Sequence, residues 1–430
     1  MVREVARRYL CPKKEFYSIF SDNHFNYYIG YYFTGFDFAE AKMIKKFLYI
    51  FAILFSLIVI SDECKSVENR ANPILRVCIL DNKDSISLVV KGSYRVYSLS
   101  SDKLLTGGYI IHTRVVPSQQ GIMFGARDLK FSRIQIKVPD GSFIDIDGRS
   151  FRGAVDIIRK DNMKLIAINR VPLEEYLYGV LYNEVSHRWP IEAIKAQAIA
   201  ARTFALYQAR QNKLQDYDLT NDIYSQVYSG ATSERWSTTR AVKLTLGQVL
   251  TFQGDIFPTY YHATCGGHTE DASSLWSVDL APLKGVECTF CKESPHYKWT
   301  QNIPLAELEK KLNDSGYRVG KISSAAVLSK NNSGRVDKIE IRDEAGVSCV
   351  LTAKDFRQML GPNEVRSTNF EPSIINNNLV FNGTGWGHGV GLCQWGAKGM
   401  ADKRKNYEEI LKYYYPGAEI STIDKLRDKL

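Results

Sequence analysis

The sequence predicts an α+β fold: mixed and antiparallel sheets around two central helices, with a β-rich region on the N-terminal side. Three observations carry this. β-branched and aromatic runs recur from Pro73 to about Gly148, set between Gly, Asp, Asn and Ser clusters. Two neighbouring segments, opened by Pro172 and Pro190, show apolar spacing of about 3.6 residues. Further on, strand-like and helix-like stretches alternate irregularly, unlike a regular βαβ chain. The 430 residues, 44% hydrophobic and 24% charged, exclude a disordered chain and suffice for two or three domains.

In order, Val77–Leu80, Ile86–Val90, Tyr94–Tyr97 and Ile134–Val138 read as strands, and Ala154–Ile158 with Lys164–Ile168 as a hairpin across Asp161-Asn162. Pro172 suits the first position of a helix whose apolar positions are Leu173, Tyr176/Leu177 and Val180/Leu181. The second helix runs from Ile191 to about Gln211, with Ile194, Ala198, Ala201 and Ala205 on one stripe. Its seven alanines between Ala193 and Ala209 permit close neighbours. Val249–Phe252, Thr259–His262, Lys338–Ile341 and Val347–Thr352 follow as strands. Leu305–Leu312, Ala353–Leu360 and Tyr407–Tyr414 follow as helices, with a last strand after Asn376–Asn378.

The N-terminal end reads as an address. Lys45 and Lys46 precede an apolar run of 14 residues, Phe47–Ile60. As a helix that is roughly 21 Å long, short of a bilayer core of about 30 Å. A basic start with a short apolar core is the pattern of a signal peptide or short anchor, here residues 43–64; a buried core helix is the alternative. Residues 1–42 are then expected to be an extension outside the mature protein, with translation starting at Met43. Peptides from 1–42 in mass spectra of the native protein would end that expectation. Lys plus Arg exceed Asp plus Glu by 56 to 47, too modest an excess to indicate nucleic acid. There is no Lys/Arg-rich run, phosphate-binding GxxxxGK[ST] or short repeat.

Four stretches could carry chemistry. In Tyr182–Pro190, joining the two helices, Glu184 stands among apolar and aromatic residues. Partial desolvation there would raise its pKa and make it a general acid; a solvated loop glutamate or a cap is the bland alternative. Cys265-Gly-Gly-His268 followed by Cys288-Thr-Phe-Cys291 has the spacing of a closed zinc site, with His262 and His296 as spare ligands. A disulfide among these cysteines is the alternative in an oxidising compartment. In Gly383–Gly396, glycines at every second position from 383 to 391 read as an extended strand with one bare face, open to a backbone or a sugar ring. Thr384, Trp386, His388 and Val390 would face the other way; tight sheet packing and a core histidine are the alternatives, and Cys393 reads as a small buried residue. Lastly, Asp222–Gly230 would present Gln226, Tyr228 and Gly230 on one strand face, suited to sugar hydroxyls or to plain structure.

Taken together, these residues resemble the stage II sporulation protein D family, which includes amidase-enhancer proteins. The resemblance rests on Val171–Val180, Glu184 in its loop, Trp189–Thr203, Gln226–Tyr228, Gly266–Glu270 and Gly387–Gly396, in that order. It implies a catalytic domain over 151–420 behind a β-rich region over 73–150, with the two helices walling a glycan-binding groove. It implies a peptidoglycan lytic transglycosylase, periplasmic or otherwise extracytoplasmic, with a cleaved signal or a membrane anchor at its N-terminal end as the two alternatives. Such an enzyme cuts between N-acetylmuramic acid and N-acetylglucosamine, preferring glycan already stripped of stem peptides by an amidase, and leaves a 1,6-anhydro end. Glycan strands are the implied partner, with an amidase acting on the same substrate. The family's catalytic glutamate falls on Glu184. Gln226, Tyr228, Trp386, His388 and Gln394 are the expected substrate contacts, and a structural zinc on Cys265, His268, Cys288 and Cys291 is the expected metal. A non-catalytic glycan-binding or amidase-activating protein is the alternative, and a zinc hydrolase a third. Two departures stand out. The family's Pro-x-Glu-Met-Pro loop reads Tyr182-Asn183-Glu184-Val185-Ser186 here, and Cys393 stands where serine is usual.

Overall fold

A computed structural model describes residues 72–222 and 225–429. The expected extension at 1–42 and the signal or anchor at 43–64 lie outside the described residues. Among the described residues no helix is long and apolar enough to cross a membrane.

The N-terminal half is built on one large, mostly antiparallel sheet. Ile74–Lys83 pairs with Leu165–Pro172, and then follow Ala154–Arg159, Arg133–Lys137, Ile86–Ser98 and Leu104–Pro117. Alternation places Ile86, Leu88, Val90, Tyr94 and Val96 in the core along one strand. Two strands expected there are a single one, because a register shift between Lys91 and Tyr94 absorbs Gly92-Ser93 as a bulge. The sheet runs without a break across residue 150.

Seven helices are described. They are α1 (Leu173–Glu184), α2 (Ile191–Gln211), α3 (Trp236–Leu244), α4 (Leu305–Asp314), α5 (Ala353–Leu360), α6 (Gln394–Asp402) and α7 (Tyr407–Tyr414). Pro172 and Pro190 precede α1 and α2 with φ of −56° and −52°, so each proline marks a start without breaking a ladder. Thr352 caps α5 through the Asp355 N–H, and Asn406 with Glu409 forms a capping box on α7.

Helix α2 is a wall between two cores. Ile194, Ala198, Ala201 and Ala205 face the core under the large sheet, as their stripe predicts. Ala193, Ala196, Ile199 and Ala200 face a second core made with α6 and α7. Alanine on both faces lets the helix be buried nearly all round. A third core, including Trp299, Leu308, Ile339, Phe356 and Phe381, belongs to an inserted segment with its own strands and with α4 and α5.

A buried ion pair locks α1 to α2. Arg202 donates through Nε and Nη2 to both oxygens of Glu174, at 2.8 and 2.7 Å, with both residues at most 2% exposed. The remaining valences are met: Gly247 N–H donates to Glu174, and Arg202 donates to the carbonyls of Gln248 and Val242. Removing one partner strands the other charge. Glu174→Ala should therefore lower stability by about 3–5 kcal/mol, read as a shift of the urea midpoint.

Candidate active site

Glu184 is the last residue of α1, and its carboxyl points into a nest of donors. The Val227 N–H donates to Oε1 at 3.2 Å, and Gln394 Nε2 lies 3.5 Å from Oε2. The Tyr261 hydroxyl also bonds to the carboxyl. Burial pushes the acid up to about 6, and these three donors oppose the rise.

Behind them runs an ordered relay. Tyr176 donates to Gln226 Oε1 at 2.9 Å, and Gln226 Nε2 donates to the Tyr261 oxygen at 2.9 Å and to the Ala201 carbonyl. With its oxygen already accepting, Tyr261 is left to donate its proton towards Glu184. The loop holds its shape without the family's prolines. Asn183 Nδ2 donates to the carbonyls of Gly179 and Val227 and to Ser229 Oγ, tying the end of α1 to the segment that supplies Val227.

The raised acid has a consequence for stability. The folded state binds the Glu184 proton more tightly than the unfolded chain does. Stability from this group therefore falls as pH rises from 4.5 towards about 6, and stays lowered above that. Glu184→Gln, neutral throughout, should melt at a higher temperature than wild type at pH 7.5, with the gap closing at pH 4.5.

The expected substrate contacts divide. Gln394 faces the acid directly. Gln226 is 1% exposed and acts from behind through Tyr261, so it is a positioning residue. Tyr228, expected as a substrate contact, is buried in the main core and donates to Asn169 Oδ1 at 2.8 Å; among the described residues no strand includes it. His388 has both ring nitrogens committed: Nε2 donates to the Tyr261 carbonyl and Nδ1 accepts from the Val390 N–H. Burial holds it at about 3, neutral in ordinary conditions. Trp386 packs edge-on against His296 with the Arg366 guanidinium 5.1 Å from its ring centroid. Tyr261 was not legible as a site residue, because nothing in its spacing links it to Glu184.

The glycine run is not a strand with a bare face. Strand structure ends at Thr384, and Gly385, Gly387, Gly389 and Gly391 have φ of 81°, 111°, 91° and 70°. Side chains rarely adopt such a backbone. A Cβ on Gly391 would lie 2.1 Å from the Tyr260 carbonyl oxygen, so the close approach is to the protein's own chain. This loop presses Leu392-Cys393 into a parallel pairing with Tyr261-His262.

That pairing completes a buried cluster. The sulfurs of Cys265, Cys288, Cys291 and Cys393 lie within 4.8 Å of one another, and all four cysteines are unbridged. His268 is the expected fourth ligand; its ring bonds to the Thr269 carbonyl, while the sulfur that joins the other three is that of Cys393, carried in by the glycine loop. The spare histidines are engaged elsewhere, His262 with the Val390 carbonyl and His296 against Trp386.

Four thiol ligands fit a closed tetrahedral metal centre, in which S···S separations are about 3.8 Å; Cys265 and Cys291 are at 3.5 Å. Backbone N–H groups of Cys265 and Gly396 already donate to Cys393 Sγ. A second observation agrees. Arg335, 0% exposed, donates one bond to the Cys265 carbonyl but leaves Nε and Nη1 without partners. A metal held by four thiolates carries net negative charge, which would balance this buried cation.

Arg335 belongs to the inserted segment, whose Asn331 and Ser333 hold the buried Glu270 carboxylate. The insertion is thus pinned against the cysteine cluster.

The fold and this site define an α+β protein with one desolvated carboxyl at a helix junction, joined through Cys393-Gln394 to a four-cysteine centre. Residues 161–252 match the family described as stage II sporulation protein. Residues 284–391, which include most of the insertion, match a domain of unknown function (DUF8618). The chain is 34% identical over 350 residues to an uncharacterized protein of Brachyspira hyodysenteriae, covering 81% of this chain and 92% of that one. It is 32% identical over 281 residues to stage II sporulation protein D of Bacillus subtilis, covering 61% and 78%. The amidase enhancer of Bacillus subtilis is 26% identical over 327 residues, and the alignment covers 45% of it. The chain belongs to the stage II sporulation protein D family.

Proposed function

We propose that the protein is a peptidoglycan lytic transglycosylase with Glu184 as its single acid and base. The observation that carries this is a lone desolvated carboxyl. Two-carboxylate glycosidases need the pair roughly 5–9.5 Å apart. Glu175 lies nine residues before Glu184 on α1, about 13 Å along the axis and on the opposite face. Asp222 bonds Thr220 Oγ1 and lies in the neighbourhood of Cys78 and Tyr217. Among the described residues no carboxylate figures in the environment that shifts Glu184.

One carboxyl suffices if the nucleophile is internal. Protonated Glu184 gives its proton to the glycosidic oxygen as the C1–O bond breaks. The carboxylate, now stabilised by Val227 N–H, Tyr261 and Gln394, takes the proton of the muramoyl C6 hydroxyl. That oxygen bonds to C1 and closes the 1,6-anhydro ring. Effective concentration of the internal hydroxyl lowers the barrier. Because the acid must start protonated, kcat/KM should fall as pH rises through about 6, approaching a tenfold loss per pH unit. A flat profile from pH 5 to 8 contradicts the assignment.

Relatives named for sporulation and for enhancing an amidase support work on the cell wall. Such a substrate lies outside the cytoplasmic membrane, and the run Phe47–Ile60 behind Lys45 and Lys46 is an address that fits it. Zinc on Cys265, Cys288, Cys291 and Cys393 would act as a cross-link, since four thiolates leave no open position for water. Digestion of amidase-treated sacculi followed by mass spectrometry tests the reading. Products bearing 1,6-anhydro ends support it, and hydrated reducing ends mean a muramidase. Binding without any product favours the second reading, a non-catalytic partner of an amidase, which the amidase-enhancer relative keeps in view.

A further inference from the structure

An open cleft of about 420 Å³ runs along α3, lined among others by Arg235, Trp236, Arg240, Lys243 and Leu244. Helix α3 turns Thr238, Ala241 and Val242 inward and leaves Trp236 75% exposed and Leu244 51% exposed. An indole so exposed is unusual for a residue type that normally buries most of its ring. The Arg240 guanidinium lies over one face of the ring, 5.1 Å from its centroid, which leaves the opposite face for a flat ligand.

The charges in the cleft are one-sided. Its acid, Glu234, is bound by Arg152 at 2.6 Å. Among the described residues no carboxylate pairs with Arg240 or Lys243. The cleft is also tied to the catalytic loop. The Arg235 guanidinium lies 4.2 Å from the Tyr182 ring centroid, Ser237 Oγ donates to the His187 carbonyl at 2.6 Å, and Ser233 Oγ donates to Asn183 Oδ1 at 3.1 Å. Asn183 is the residue before Glu184. The residues on either side of Glu184 in the chain are thus bonded to α3 and to the turn before it.

We propose that α3 is a subsite for the glycan strand, in which Trp236 stacks on a sugar ring and Arg240 with Lys243 bind the lactyl carboxylate of a muramoyl residue. The proposal rests on the glycan-cleaving reading for its substrate class and adds a reason for peptide-free glycan. While a stem peptide is attached, that carboxyl is a neutral amide with a bulky substituent. Amidase cleavage leaves a free anion there, and two unpaired cations then have a partner. Charge complementarity with an aromatic platform argues for a carboxylate-bearing polysaccharide over a neutral one.

The test uses co-sedimentation with amidase-stripped, teichoic-acid-free sacculi in the Glu184→Gln background, so that binding is read without turnover. Arg240→Gln with Lys243→Gln should weaken binding about tenfold and flatten its salt dependence, and Trp236→Ala should weaken it similarly. These positions are exposed, so unchanged melting confirms intact folding. Capping the sacculus carboxylates with methylamine should weaken the Glu184→Gln protein and leave the triple variant unaffected. Equal binding by all proteins, or salt-sensitive binding indifferent to capping, overturns the subsite. The failures are separable. If wild type yields 1,6-anhydro ends while the α3 variants bind normally, only the subsite falls. If no such ends form but carboxylate-dependent binding is lost in the variants, the subsite stands on a binding protein.

Discussion

Glu184→Gln should reduce the release of 1,6-anhydro ends by about 10²–10⁴-fold, the contribution of a positioned general acid. Among the described residues no carboxylate figures in the surroundings of Glu184 that could take over the proton. Gln keeps the shape and can still accept from Val227 N–H, so the loop should survive and glycan should still co-sediment. The variant should also be the more stable protein at pH 7.5, because burial at this position disfavours the charged acid. Loss of turnover with retained binding and a raised melting temperature is a combination that simple misfolding does not produce. Turnover within a factor of three of wild type would falsify the role given to Glu184.

The second large effect concerns the cysteine cluster. Structural zinc sites contribute on the order of 10–16 kcal/mol in small peptides, as much as the whole stability of an ordinary domain. Cys393→Ala should lower bound zinc, measured by mass spectrometry of the native protein, and melt the core around α6 and α7 at a lower temperature. His268→Ala should leave zinc content and melting unchanged. Chelation should unfold that core in wild type as it inactivates, whereas a catalytic metal would leave a folded, inactive protein. A metal-free wild-type protein melting as before ends the structural-zinc reading.

The central helices were legible because their pattern and their packing obey the same period. Ile194, Ala198, Ala201 and Ala205 fall on one stripe in the sequence and in one core in the fold. The strand Leu104–Pro117 was not legible, because most of its residues are exposed or half-buried and carry no clean alternation. Helix α3 escaped for a related reason: it is short, and its inward face uses Thr238 and Ala241 where a periodic reading looks for large apolar residues.

The run Gly383–Gly391 shows how a true regularity can mislead. Glycine at every second place is compatible with a strand and equally with a loop of repeated positive φ. Without a Cβ, the residue carries no record of which way it faces.

By itself, then, the sequence determined the α+β class, the two helices, the glutamate at their junction and the thiol-rich character of the Cys265 and Cys288–Cys291 hooks. These depend on residue type and on neighbours a few positions away. Only the tertiary structure decided that the fourth sulfur is Cys393, that Tyr261 and Gln394 face Glu184, and that Tyr228 and His388 are hydrogen-bonded within the protein. Each of those contacts joins segments far apart in the chain, as Cys265 and Cys393 are at 128 residues. Periodicity reports the surface an element buries, and the partner met across that surface is set by how the elements pack.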